Sequence, residues 1–315
     1  MKEELKSSRN KTIDFTEQEG INYINKCLFP SEQVNNLPLN EIENKIICGD
    51  SFLVLPKLPK EIFPLIIVDP PYNLSKQYDS SKFAAKKHSE YHKYTKQWLD
   101  LVLPLLTKNG TMYICVDWKS SIIVGEVLSE YEEQNLLKIR NRITWEREKG
   151  RGAKSNWKNC HEDIWFITKG EEYTFNTDAV KVRRKVIAPY KQNGKPKDWT
   201  ESEEGNFRDT FPSNFWNDIT IPFWSMPENT AHPTQKPEKL LAKLILASSN
   251  KNEIVFDPFG GSGSTAVTAK KLNRRWCSIE KEKRFCGWTQ YRLEHADLDN
   301  TIQGFEDGIF RARNS

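Results

Sequence analysis

Val68-Asp69-Pro70-Pro71-Tyr72-Asn73-Leu74 is the stretch whose reading decides the fold of this 315-residue chain. It ends an apolar run, Leu65-Ile66-Ile67-Val68, whose continuity predicts a strand buried on both faces, as in a parallel sheet. Each proline fixes its own φ and keeps the residue before it out of the helical region, so the turn is rigid. A carboxylate and an aromatic ring are thereby held at the carboxyl edge of a sheet, where open α/β folds bind their ligands.

The flanking pattern extends that sheet. Before the turn, Lys45-Ile46-Ile47-Cys48-Gly49-Asp50 reads as a short strand ending in Gly-Asp. After it, the polar stretch 75–87 predicts a mobile loop over the site. Trp98, Leu101, Val102 and Leu105 recur at helical spacing, and Asn109-Gly110 is expected to end that helix. A strand over 111–116, a helix over 120–131 and strands over 139–145 and 161–168 follow. Strands alternating with helices predict an α/β fold with a mostly parallel sheet covered on both faces, closed by an antiparallel edge hairpin.

The rhythm breaks over 174–223, which reads as an insertion. It resumes at Ala231-His232-Pro233-Thr234-Gln235-Lys236-Pro237, with Pro237 placed in the first turn of a helix. A strand over 253–256 then leads into Asp257-Pro258-Phe259-Gly260-Gly261-Ser262-Gly263-Ser264-Thr265, and a strand over 276–279 ends at Glu280. The expected organisation is an extension over 1–40, a catalytic half over 41–173, an insertion over 174–230 and a cofactor half over 231–315.

Composition narrows the class. Hydrophobic residues at 37% against charged residues at 29% fit a soluble protein, and a net charge of +4 permits a nucleic-acid partner without demanding one. The six cysteines form no Cys-x-x-Cys pair, so no zinc ribbon or redox pair is expected, and no metal. No apolar run approaches ~18 residues and the polar start lacks a signal region, so no membrane contact and a cytoplasmic location are expected.

The glycine-rich turn lets a ligand approach the backbone closely, and an acid at the end of the next strand, about twenty residues on, suits ribose hydroxyls. A phosphate loop would need Gly-Lys-Ser/Thr, and Gly263-Ser264-Thr265 has no lysine. A dinucleotide fingerprint would need a third glycine after Gly261-Ser262-Gly263. The turn taken alone also fits a tight strand–helix junction.

Taken together and in this order, Asp-Pro-Pro-Tyr, His-Pro-Thr-Gln-Lys-Pro and Asp-Pro-Phe-Gly-Gly-Ser-Gly resemble the β group of DNA amino-methyltransferases of restriction–modification systems. The resemblance runs over 45–293. It implies a Rossmann-like S-adenosyl-L-methionine-dependent methyltransferase fold, circularly permuted, and site-specific methylation of the adenine N6 amino group in double-stranded DNA with base flipping. Asp69, Pro70 and Tyr72 would be catalytic. Asp257, Phe259, Gly261, Ser262 and Gly263 would form the cofactor turn, Glu280 would hold the ribose, and Asp50 would lie near the cofactor's adenine. His232, Thr234 and Lys236 would meet its methionine end, with Lys236 pairing to the carboxylate. Ser264-Thr265 stands where Thr-Thr is more usual, a small departure.

The implied chemistry matches the residues. An exocyclic amine is a poor nucleophile because its lone pair is delocalised into the ring. Acceptors at Asp69 and at the Pro70 carbonyl would favour a tetrahedral nitrogen and stabilise the developing positive charge. Tyr72 would stack on the flipped base. No cysteine follows a proline, which argues against ring-carbon methylation. Cys160-His161-Glu162 reads as structural, with no partner ligands for a metal. Arg147, Lys149 and Arg151, near Trp145 and Trp157, are candidates for DNA contacts, as are Lys181, Arg183, Arg184 and Lys185 in the insertion. A solvated charged face is the alternative. The resemblance also implies a cognate restriction endonuclease without a stable complex, and leaves room for a homodimer. A cytosine-N4 methyltransferase, which usually carries Ser in place of Asp69, and a catalytically silent specificity partner remain open.

Overall fold

The computed structural model describes residues 7–147, 155–187, 190–203 and 205–312. Eight strands form the main sheet: β1 (Lys45–Cys48), β2 (Phe63–Val68), β3 (Leu106–Asp117), β4 (Lys138–Glu146), β5 (His161–Thr168), β6 (Phe215–Trp216), β7 (Ile254–Asp257) and β8 (Arg275–Glu280). Their spatial order is β1-β8-β7-β2-β3-β5-β4-β6. The two motif strands, far apart in sequence, are therefore neighbours: Leu65 and Ile66 of β2 pair in parallel with Val255 and Phe256 of β7.

Alternation explains how β2 carries a core on each face. Leu65 and Ile67 join one apolar layer, with Leu240, Leu244 and Val267. Ile66 and Val68 join the other, with Trp98, Val102 and Leu128, and Phe63 joins them because the strand is irregular between Phe63 and Leu65. The first layer is covered by helices α3 (Glu238–Ser248), α4 (Ser264–Lys271) and α5 (Lys283–His295), and the second by α1 (His88–Val102) and α2 (Trp118–Glu133).

Four expectations change. Helix α1 gives way at Val102 to a short 3-10 turn, Leu103–Leu105, because Pro104 has no N–H to continue the ladder. Asn109-Gly110 instead lies inside β3, where the pairing with β2 is irregular between Phe63 and Leu65. The antiparallel hairpin β4–β5 forms beyond β3, but it is not the edge: Phe215 and Trp216 of β6 add in parallel outside β4. The stretch 75–87 is not an open loop. Lys76–Tyr78 and Ser81–Phe83 pair as a hairpin, tied to the α5 end by Ser80 Oγ donating to Glu282 and by Arg284 facing Asp79 at 3.1 Å.

The insertion builds a second sheet with help from the far end of the chain. Its strands Thr200–Ser202, Gly205–Thr210 and Val182–Lys185 are extended by Ile309–Arg311 and Phe305–Glu306. Phe310, fully buried, sits opposite Val182 and seals this sheet against α3. Cys48, Cys115 and Cys277 are buried strand residues, and the described cysteines form no disulfide. Among the described residues no helix is long and apolar enough to cross a membrane.

Candidate functional site

The carboxyl ends of β1, β8, β7 and β2 open onto one cavity of ≈ 300 Å³. That is the low end of the range for small-molecule pockets, ~300–1,000 Å³. Two sets of side chains meet there.

The first set surrounds the proline turn. Lys236 Nζ lies 2.9 and 2.8 Å from the two Asp69 oxygens and donates at 2.8 Å to the Tyr72 hydroxyl. The Tyr72 hydroxyl has two carboxylates in reach, Asp69 Oδ1 at 2.9 Å and Glu162 Oε2 at 3.1 Å. Lys236 is also 3.4 Å from Glu162, and Arg147 closes the cluster by pairing with Glu162. Pro70 lines the cavity between Asp69 and the Tyr72 ring. Lys236 comes from the segment before α3, so this set exists only because β7 and β2 are adjacent.

Burial works differently on its members. It raises the Asp69 carboxyl, with Lys236 opposing, and the net direction is up. Burial also raises Glu162, but Lys236 and Arg147 outweigh it and hold that carboxyl below its ordinary value. Burial acts against the Lys236 ammonium, yet Asp69 and Glu162 raise it above the ordinary lysine range. Tyr72 is pushed up by burial and then by the two anions beside it. The lysine is thus a firm cation shared by two carboxylates.

The second set is the glycine turn. Gly261 at φ +52° and Gly263 at φ +78° occupy the left-handed region that glycine alone enters at little cost. A Cβ on Gly263 would come within 2.0 Å of Thr289 Cγ2, so the space is closed as well. Asp257 accepts from Phe259 N at 2.9 Å and Thr265 Oγ1 at 2.6 Å, and burial pushes it up to about 7. Glu280 accepts from Gly261 N and Glu282 N, each at 2.8 Å, and burial likewise takes it to about 7. Asp50 accepts from Phe52 N at 2.9 Å and faces Lys281 at 3.3 Å. Burial drops the His232 imidazole to about 3, leaving it neutral, and its ring meets Phe285 edge-on at 4.7 Å. Thr234, Phe259 and Ser262 also line the cavity.

The structure brings all of the expected catalytic and cofactor residues to this cavity except Gly263, which shapes the turn from behind. Lys236 bonds Asp69 here. The candidate DNA contacts are scattered. Arg147 turns into the site to meet Glu162. Lys149 and Arg151 lie outside the described residues. Lys181 pairs with Asp178 at 2.7 Å, and Arg183 makes two 2.8 Å bonds to Asp209. Arg184 and Lys185 are exposed.

Glu162 is the site residue that sequence reasoning set aside. Cys160 and His161 face solvent while Glu162 is 3% exposed, and no group of side chains fit for a metal occurs among the described residues. The available signal was a pair of acids, Glu162 and Asp163, leading directly into the apolar run Ile164–Ile167 of β5, where a carboxylate stays buried only with partners.

Comparison with known proteins agrees with this geometry. The model of the N6_N4_Mtase family, described as DNA methylase, matches residues 63–290. The type II methyltransferase M.HpaI of Haemophilus parainfluenzae is 31% identical over 267 residues, 84% of this chain and 77% of that protein. The DNA adenine methyltransferase YhdJ of Escherichia coli is 33% identical over 262 residues, 80% of this chain and 83% of its own. Among solved structures, the cytosine-N4-specific PvuII DNA methyltransferase shares the fold with a TM-score of 0.59 at 19% identity, covering 83% of this chain and 88% of that one. With the family model spanning both motif strands, the chain belongs to the DNA methylase family and is a DNA methyltransferase.

Proposed function

We propose that the base modified is adenine, at N6, in duplex DNA. The observation that carries this reading is Asp69, fixed between β2 and two prolines beside the Tyr72 ring, at the wall of the cavity that the glycine turn closes. A relative named as an adenine methyltransferase supports it, whereas the fold neighbour named cytosine-N4-specific shows that the fold alone serves both bases.

The cavity suits the methyl donor. Gly260 and Gly261 leave backbone exposed where a side chain would strike Ser278 or His232. Glu280 and Asp50 each keep acceptor capacity beyond their backbone bonds, and would take the ribose hydroxyls and the cofactor's adenine. His232 and Thr234 would flank its methionine end. Bound there, S-adenosylmethionine supplies a methyl group on a sulfonium. Asp69 and the Pro70 carbonyl would accept the two amino hydrogens of the flipped base, drawing the nitrogen lone pair out of the ring and stabilising positive charge as it develops. Tyr72, anchored through its hydroxyl, would offer its ring to the base.

Site choice is assigned to 174–230, whose sheet exposes Arg184 and Lys185. The same reading makes the chain a cytoplasmic modification enzyme of a type II restriction system, acting apart from its nuclease. The test is to methylate a duplex with the purified chain, digest it to nucleosides and identify the product by mass and retention. N6-methyladenosine is expected, as the deoxynucleoside. N4-methylcytosine would overturn the base assignment.

A further inference from the structure

Asp69 is crowded for a group that is to receive an amine. A carboxylate offers about four acceptor positions. Lys236 occupies both oxygens and Tyr72 adds a third bond at Oδ1. An arriving amino group must displace at least part of this. Among the described residues, both donors to Asp69 have the same second acceptor, Glu162. The Tyr72 hydroxyl has one hydrogen to give and finds Glu162 Oε2 at 3.1 Å against 2.9 Å for Asp69, so it can change partner without moving its ring. Lys236 lies 3.4 Å from Glu162 and 2.8 Å from the nearer Asp69 oxygen, a difference of 0.6 Å (3.4 − 2.8).

The charges are balanced for such an exchange. Two anions, Asp69 and Glu162, face two cations, Lys236 and Arg147. Arg147 keeps Glu162 ionised and in place at 3% exposure, where an unpaired carboxylate would be costly. Nothing in the β-ladder itself calls for a carboxylate at this position.

We infer that Glu162 is a positioning residue for methyl transfer: it receives Lys236 and the Tyr72 hydroxyl when the target amino group takes their places on Asp69. Arg147 acts behind it as the counter-cation, a role away from DNA phosphates. The inference rests on the reading that Asp69 accepts the amino hydrogens.

Glu162→Gln keeps the shape but removes the anionic acceptor that both donors share, leaving Lys236 with Asp69 as its single carboxylate and the Tyr72 hydroxyl with a weaker, neutral amide oxygen. Its kcat should fall about 10- to 100-fold, while KM for S-adenosylmethionine and for duplex DNA stays within about threefold. Glu162→Asp, which retains the charge, should recover part of that loss. In a Tyr72→Phe background one of the two donors is gone, so the Glu162→Gln penalty should shrink. A Glu162→Gln enzyme with parental kcat, a loss confined to KM, a Glu162→Asp enzyme no better than Glu162→Gln, or a fully additive double variant would each overturn the role. Should Glu162→Gln fail to fold, Glu162→Asp carries the test: its kcat should drop by several-fold, and no change would overturn the inference. Asp69→Ala separates the two levels. If it stays active, the Asp69 reading falls; if it is inactive while Glu162→Gln is unchanged, the Glu162 role alone falls.

Discussion

The same dipeptide stands at the ends of two neighbouring strands, Asp69-Pro70 just after β2 and Asp257-Pro258 where β7 stops, yet the two aspartates are held by opposite means. Asp257 is bound by neutral donors from its own turn, a backbone N–H two residues on and a hydroxyl eight residues on. Asp69 is bound by an ammonium 167 positions away and by a phenol with a choice of partners. Local neutral donors make a fixed scaffold with little to exchange. A distant cation with two acceptors makes a carboxylate whose partners can be traded. The first arrangement suits a wall that shapes a cofactor, and the second suits a group that changes partners during reaction.

The largest expected effect tests the exchangeable side. Asp69→Ala removes an acceptor needed mainly in the transition state, so kcat should fall at least ~100-fold while cofactor and DNA affinities change much less. Single-turnover rates beside binding titrations give that split directly. An active variant would erase the contrast between the two aspartates.

The scaffold side should fail in the other parameter. Glu280→Ala should weaken S-adenosylmethionine binding by about tenfold with kcat at saturation within about threefold, since the interaction is equal in ground and transition states. Gly263→Ala meets both a left-handed φ and Thr289, so it should destabilise the chain by more than ~1 kcal/mol and weaken cofactor binding. Calorimetric titration and thermal unfolding measure both. A pure loss of kcat in either variant would mean that the two turns are not functionally distinct.

A third effect is a pH trend to which the scaffold carboxylates contribute. Asp257 and Glu280 are pushed up to about 7 by burial. In the unfolded chain such groups titrate near ~4, so the folded state retains protons that the unfolded state has released. Their contribution to stability is full below ~4 and is lost as pH rises through ~7. The melting temperature of the cofactor-free chain should therefore fall between pH ~5 and ~8, and Glu280→Gln should flatten the decline. An unchanged decline in that variant would assign the trend to other groups.

The smallest effect concerns DNA charges far from the cavity. Neutralising the exposed Arg184 and Lys185 should lower the salt slope of DNA binding by about one for each phosphate that those side chains neutralise. Neutralising Arg183, already bound to Asp209, should change stability more than slope. Equal slopes for all variants would make these residues a solvated face.

Much of the site is legible in the sequence, for a reason visible in particular residues. Asp69, Gly261 and Glu280 sit at or just after strand ends, and strand ends are announced by apolar runs, prolines and glycines close by in sequence. The end of α1 was misplaced because Asn109-Gly110 is a strong turn signal, yet Pro104 had already stopped the helix and β3 absorbed the turn. Arg147 was read as a phosphate contact because its sequence neighbours are basic, whereas its partner in space is Glu162 on the paired strand.

The sequence by itself determined which residues could carry the chemistry: the proline turn, the glycine turn and the acid that ends β8 are each complete within a few positions. Tertiary structure decided the partnerships. Only the adjacency of β2 and β7 brings Lys236 onto Asp69, only the β4–β5 pairing sets Arg147 on Glu162, and only the docking of β5 against β3 places Glu162 beside Tyr72. Ion pairs depend on distance through space, and a linear sequence specifies distance along the chain.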